Sequence, residues 1–447
     1  MELKRKEQKQ QQNRKQNQNQ TIKVKQEKKA QWIDFIVFVL LLAFVTAFTF
    51  ILFHRQTLGS PDSYHSDMKA YILEMQGLDS GYSFPYPVFF KLSALIHLFA
   101  GPELAVAIAT TILNSLSMVL MKLLMNHLTL SKLQEAFPKA KYLAGIFVSV
   151  VTICLFFVSM LYPPTGIYLP GIKYKYLGVF TGNPFHNATY MAARPFAIMA
   201  FFWYAKLLPI YERGYRKGSS FRFALSTDEK QEGVALQDYI LFSLFLLLAT
   251  MTKPSFTIVL VGAAGLIMVW RMVKSKFRNF VPTLQLGLCF VPTFIDLLYQ
   301  YKGVFVPSEG EEGGVGFTFG RIWTEYCDNI PLAICLAVGF PLLVLVLNYK
   351  ELKKNTLYRF SWQLYVMGFL MAFFLYEKGF REMDFNFSWG YMYGIFFGFV
   401  GALVVLIQAT CAKKRPVLLA LQWMAFLWHV ACGAYYFWFF FRGWMYY

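Results

Sequence analysis

Charge is what this sequence has least of. Only 15% of its 447 residues are Asp, Glu, Lys or Arg, whereas soluble domains carry about 25%. A chain that is 57% hydrophobic and so poor in charge cannot hide its apolar surface in one aqueous core, so hydrocarbon must solvate most of it. Cysteine is scarce as well. The six (Cys154, Cys289, Cys327, Cys335, Cys411 and Cys432) form no CxxC pair and lie mostly in apolar runs, where a thiol behaves as a small hydrophobe. Neither a metal centre nor a disulfide framework is implied. No small-residue cleavage site follows the first apolar run, 32–53, which is too long for the core of a secretory signal, so no cleaved signal is expected. Nor is there an internal repeat, which weighs against a transporter built from duplicated halves.

What the sequence does have is aromatic residues and positive charge. The 47 Phe and 27 Tyr suit lipid contact and interfacial belts. The net charge of +18 would fit a polyanion partner if it were clustered on one surface, but its distribution points elsewhere. Residues 1–31 hold ten Lys/Arg against Glu2, Glu7 and Glu27, and this Gln- and Asn-rich tail is expected to be disordered and to lie on anionic inner-leaflet lipid. Most of the remaining cations sit in short loops between apolar runs, where they fix orientation. Nucleic acid is not an expected partner; membrane lipid is.

Eleven segments are apolar and about 20 residues long: 32–53, 103–125, 142–161, 189–208, 237–253, 255–272, 280–299, 329–347, 358–377, 388–409 and 416–438. Residues 32–447 therefore read as one all-α, polytopic transmembrane domain of about eleven crossings. Cytoplasmic loops collect Lys and Arg. The clusters Lys132/Lys139/Lys141, Lys206/Arg213/Arg216/Lys217/Arg222, Arg271/Lys274/Lys276/Arg278, Lys350/Lys353/Lys354/Arg359 and Lys413/Lys414/Arg415 all fall on the cytoplasmic side if the N-terminus starts there. One condition attaches: the short apolar segment 87–99 must not cross separately from 103–125. It is therefore expected as a juxtamembrane or re-entrant helix on the outer side. The outer loops are then 54–102, 162–188, 300–328 and 378–387, with the C-terminus outside, and 162–188 is expected to form an ordered cap.

The first outer loop carries His54, Arg55, Asp62, His65 and Asp67, then Met68, Tyr71, Ile72 and Met75 at helical spacing. A short amphipathic helix is expected to begin near Asp67. A carboxylate at that point can deprotonate or orient an acceptor hydroxyl, with Asp62 an alternative acid and His65 a second proton carrier or acceptor contact. The bland reading is that Ser66 or Asp67 only caps the helix.

The order of these features resembles the GT-C superfamily of membrane glycosyltransferases, which take sugar from a polyprenyl-phosphate donor. The resemblance rests on an acidic residue after the first helix (Asp67), an amphipathic stretch (68–78), Pro85-Tyr86-Pro87 leading a helix to Phe99, and Gly101 before the second crossing. It covers 32–125 in detail and the remainder by helix count and topology. Many members carry two adjacent acids in this loop, whereas here Met68 follows Asp67. The resemblance implies an inverting transfer at the outer face, with Asp67 as base and a glycan, lipid or protein as acceptor. Integral placement in a bacterial plasma membrane follows from the same likeness. Cofactor need is left open: a divalent metal is compatible with it, but the residues do not point to one. A lipid-phosphate donor needs cations on the outer face; Arg194, Lys253, Lys302 and Arg381 are available, and Arg194, Lys253 and Arg381 rank first among them. Snorkelling to the interface is the plainer account of each. Asn183, His186 and Asn187 form a polar cluster that either lines a sugar pocket or, at Asn187-Ala188-Thr189, is a chance glycosylation motif. Two other functions compete: a flippase or transporter of lipid-linked saccharide, which needs charge near the bilayer midplane, and a polysaccharide polymerase or ligase, which centres on late outer loops.

Overall fold

The structure is a computed structural model describing residues 2–161, 181–217, 236–304, 314–379, 381–413 and 415–444. Of the cap expected over 162–188, residues 162–180 lie outside the described residues. So do Arg222 and Lys414 of the basic clusters.

The chain opens with α1 (Glu2–Thr57), α2 (Met68–Met75), α3 (Pro87–His97), α4 (Pro102–Met125), α5 (Ser131–Ala136) and α6 (Lys141–Leu155). Next come α7 (Ala188–Lys217), α8 (Leu236–Thr252), α9 (Ser255–Lys274), α10 (Phe280–Leu288) and α11 (Val291–Val304). The last third holds α12 (Arg321–Thr324), α13 (Ile330–Leu347), α14 (Glu351–Lys354), α15 (Thr356–Phe374), α16 (Ser388–Cys411) and α17 (Pro416–Phe441). Helix α1 is continuous from Glu2, so the basic tail expected to be disordered is helical here. Two three-residue strands, β1 (Val315–Phe317) and β2 (Leu375–Glu377), pair antiparallel with Gly316 opposite Tyr376.

Every one of the eleven apolar segments forms or contains a helix. Among the described residues seven helices are long and apolar enough to cross a membrane, and eight if α10 and α11, bent by 53°, count as one span. The chain is an all-α membrane protein. Its lipid-facing residues are as apolar as its core: Leu40 and Phe44 on α1 and Val417 and Trp428 on α17 are all exposed.

At the centre stands α16, buried at every residue from Ser388 to Ile407. Hydrophobic burial cannot drive helices together in lipid, so close backbone approach and interhelical contacts must do so. Gly390, Gly394 and Gly401 supply that approach. A Cβ on Gly394 would come within 2.9 Å of the Tyr365 backbone on α15, and one on Gly368 would come within 2.8 Å of Tyr391. Stacked rings then seal α16 against α7, with Phe201 over Phe397 at 4.1 Å and Tyr190 over Tyr393 at 4.2 Å. Helix α13 is kinked at Val338 beside Pro341. His429 of α17 fills the break: its Nε2 accepts from the Phe340 amide at 3.1 Å. The other ring nitrogen, Nδ1, is therefore left to donate to the Ser159 carbonyl.

Helix α4 returns antiparallel to α1. Lys122 meets Asp34 at 2.9 Å near one end, and Thr46 meets Ser115 at 2.8 Å further along. The segment between them, α3 included, therefore stays at one end of the bundle, as parity requires. At 11 residues and 1.5 Å rise, α3 is only about 16 Å long. Ser149 and Asn126 complete the Asp34–Lys122 pair, donating to Asp34 and accepting from Lys122 respectively. Intramembrane charge with every valence filled is tolerable where lone charge is not.

The chain's two ends of charge separate cleanly. Helices α9 and α16 each begin beside Lys253 or Trp389 and end at the basic clusters 271–278 and 413–415, while α15 starts next to Arg359 and ends at β2.

Candidate functional site

At the end of the bundle opposite the basic clusters, Asp67 sits at the N-cap position of α2 but makes no capping bond. The Ser66 hydroxyl accepts from the Met68 amide instead, which releases the Asp67 carboxylate for other partners. Its Oδ2 accepts from Asn187 Nδ2 at 2.6 Å and from the Tyr71 hydroxyl at 3.2 Å. Tyr71 lies four residues on, hence on the same helical face, and it is buried.

Asn187 precedes α7 and caps it: its Oδ1 accepts from the Tyr190 amide at 2.9 Å. The same oxygen accepts from Lys253 Nζ at 3.2 Å and from the Thr189 hydroxyl at 3.0 Å. With the oxygen so engaged, the amide's N–H has one direction left, toward Asp67. Asn187 is buried, so the Asn-Ala-Thr triplet is no glycosylation acceptor in this fold. Lys253 occupies the two-residue link between α8 and α9, its backbone N–H closing on Ala249 and the following Pro254 starting the next helix. Its ammonium also donates to Thr189 Oγ1 at 3.1 Å and rests 4.8 Å from the centre of the Trp389 ring.

Arg381 arrives from the far side, on the loop after β2. The β1–β2 pairing fixes one end of that loop, and Tyr326 fixes the other by donating to the Met383 carbonyl at 2.5 Å. Arg381 Nε donates to Asp384 at 2.9 Å, and the guanidinium lies 5.4 Å from the centre of the Tyr82 ring. Asn386 donates to Glu377, which is thus paired. Asp296 is likewise paired, accepting from Gln300 at 2.8 Å.

These residues surround two adjoining cavities. One, of about 270 Å³, is polar and is lined by His65, Asp67, Tyr71, His186 and Asn187 among others. Its neighbour, of about 330 Å³, is walled by Ile258, Val259, Leu297 and Met371 and other largely apolar side chains. Tyr86, Lys253, Arg381, Asn386 and Trp389 line both. The shared wall therefore carries two cations.

Burial raises the Asp67 carboxyl above its ordinary value, against the opposing pull of Lys253 and of the Tyr71 and Asn187 hydrogen bonds. A carboxylate held this way is a better proton acceptor than a free one. Burial pushes His186 down to about 3, helped by His65 and Lys253, so its imidazole is neutral at physiological pH. Among the described residues no cluster of three His, Cys, Asp or Glu could hold a metal ion.

The structure thus brings together four of the six residues singled out from sequence: Asp67, His65, Lys253 and Arg381. Asp62 is exposed in the turn before them and lines neither cavity. Arg194 is placed elsewhere. It is fully buried, donating to Asn183 Oδ1 at 2.5 Å and Asn114 Oδ1 at 2.6 Å and lying 4.7 Å from the centre of the Phe156 ring. Asn183 in turn donates to the Leu155 and Val158 carbonyls, satisfying the end of α6. Arg194 ties three elements together and lines neither of these two cavities. Tyr71, Tyr86, Trp389 and Tyr326 were missed as site residues. The Asp67/Tyr71 spacing was the one available signal.

Comparison of the chain with protein-family models, with curated proteins and with solved structures gives no match.

Proposed function

We propose that this protein is an inverting membrane glycosyltransferase of the GT-C type, drawing sugar from a polyprenyl-phosphate donor at the outer face. The observation that carries this reading is the pair of adjoining cavities, one polar and holding Asp67, the other apolar, with Lys253 and Arg381 on the wall between them. An amphiphile with a phosphate between a sugar and an isoprenoid chain has that same order of chemistry. The chain would lie along Ile258 and Val259, the phosphate between Lys253 and Arg381, and the sugar beside Asp67.

The acceptor hydroxyl enters the polar cavity and gives its proton to the Asp67 carboxylate. Its oxygen attacks the anomeric carbon as the bond from that carbon to the phosphate oxygen breaks. The electron pair leaves on polyprenyl phosphate, whose charge Lys253 and Arg381 stabilise; Arg381 suits a bidentate grip. One displacement inverts the configuration. In this reading about eleven helices cross the membrane, the N-terminus is cytoplasmic and the C-terminus lies outside, beside Tyr64 and Arg55, which bond to Gly443 and Phe441.

The experiment is transfer of labelled sugar from polyprenyl-phosphate sugars to membrane acceptors by the purified protein in vesicles. Donor consumption that requires Asp67 is expected. Full transfer by Asp67→Asn would sink the proposal. A cysteine at position 99, where Phe99 is exposed, should be labelled from outside only; labelling from the cytoplasm would overturn the orientation.

A further inference from the structure

A third cavity, of about 530 Å³, lies at the other end of α16. Trp389 of that helix lines the first two cavities and Gly390 the apolar one, while Gln408, Ala409 and Ala412 line this one. The separation along the helix is about 30 Å. The cavity opens where α13 ends, α14 turns and α17 begins.

Its lining combines two chemistries. Leu347, Val405, Leu418 and Leu419 are aliphatic, while Lys350, Lys354 and Arg415 are cations. The single acid on the lining, Glu351, is engaged with Lys354 at 3.4 Å. Asn348 and Gln422 join each other at 2.8 Å and form a polar floor. Lys413 is turned away, its ammonium 4.7 Å from the Phe137 ring centre, whereas Arg415, two residues on, is a lining residue. Small Ala409 and Ala412 leave the space open.

We propose that this cavity binds the headgroup of an anionic membrane phospholipid: the phosphate between Lys350 and Arg415, the glycerol on Asn348 and Gln422, and the first chain carbons along Leu418 and Leu419. Basic pockets between transmembrane helices are where anionic headgroups are held. A soluble phosphate would use the cations but leave the aliphatic wall uncovered. The proposal needs neither the transfer reaction nor its donor.

The test uses the full-length protein in nanodiscs of phosphatidylcholine doped with phosphatidylglycerol, with retained lipid counted by native mass spectrometry. Wild type should keep a phosphatidylglycerol that excess inorganic phosphate does not displace. Lys350→Gln/Arg415→Gln should weaken that retention roughly thirtyfold, from about a fivefold step per cation removed near the surface. Leu419→Trp, which fills the aliphatic side with both charges intact, should weaken it comparably, with thermal unfolding of each variant confirming the fold. Retention unchanged in both variants, or displacement by inorganic phosphate, overturns the proposal.

Discussion

Lys253 and Arg194 are both cations taken out of water in the upper part of the bundle, and they are used in opposite ways. Arg194 is enclosed: its guanidinium is met by two amide oxygens and flanked by the rings of Phe156 and Phe396. Lys253 is anchored by Asn187 and Thr189 on one side and faces two cavities on the other. Exposure differs little, since both are buried. What separates a cation that braces a fold from one poised for a ligand is whether protein groups close its whole surroundings.

The comparison is open to attack by mutation. Asp67→Asn, beside the Lys253 network, should cut transfer by roughly 10²–10⁴-fold, the range for a lost general base, with the spectrum and unfolding temperature of a folded protein. Because burial raises the folded carboxyl, ionised Asp67 opposes folding: the stability it contributes is present at low pH and lost as pH rises through its native value. The same variant should therefore unfold no earlier than wild type at neutral pH. Arg381→Gln should lower kcat/KM for the lipid donor by about 10²-fold, as for a removed charge-stabilising donor. Arg194→Leu should do the reverse of these two. Two hydrogen bonds to a charged group disappear, at a cost on the order of 3 kcal/mol, read as early thermal unfolding and poor yield while each folded molecule still transfers sugar. An Arg194→Leu protein that is stable but inactive would erase the distinction. The smallest effect is on pH dependence. The ammonium of Lys253 holds Asp67 down, so Lys253→Gln should move the acid limb of the rate profile to higher pH; an unmoved limb would mean that Asp67 is not the titrating base.

The parts of this molecule legible in sequence are those governed by local rules. The amphipathic period put α2 directly after Asp67, the parity of the basic clusters set 87–99 aside as a helix that does not cross separately, and the abutting segments 237–253 and 255–272 left almost no link between α8 and α9. The paired grouping of basic clusters at one end follows from helix direction alone. Pairings across helices were not legible, because helix rotation decides them and no short-range signal reports it. Arg194 finds Asn114 eighty positions away, and Asp34, which sits in an otherwise apolar run, finds Lys122 eighty-eight away. Two signals were present and unused. Gly390 and Gly394 stand at the four-residue interval that lets membrane helices touch, and Asp67 and Tyr71 share a helical face. The reach of Arg381 into the site depends on the β1–β2 pairing, whose partners are 58 positions apart or more.

The Asn187 amide is a spacer between opposite charges. It offers its oxygen to a cation and its hydrogens to an anion, so neither has reason to swing across and neutralise the other. A chamber built this way keeps its charges apart without help. In the proposed transfer, an incoming molecule would enter between groups already separated, with no internal ion pair to break.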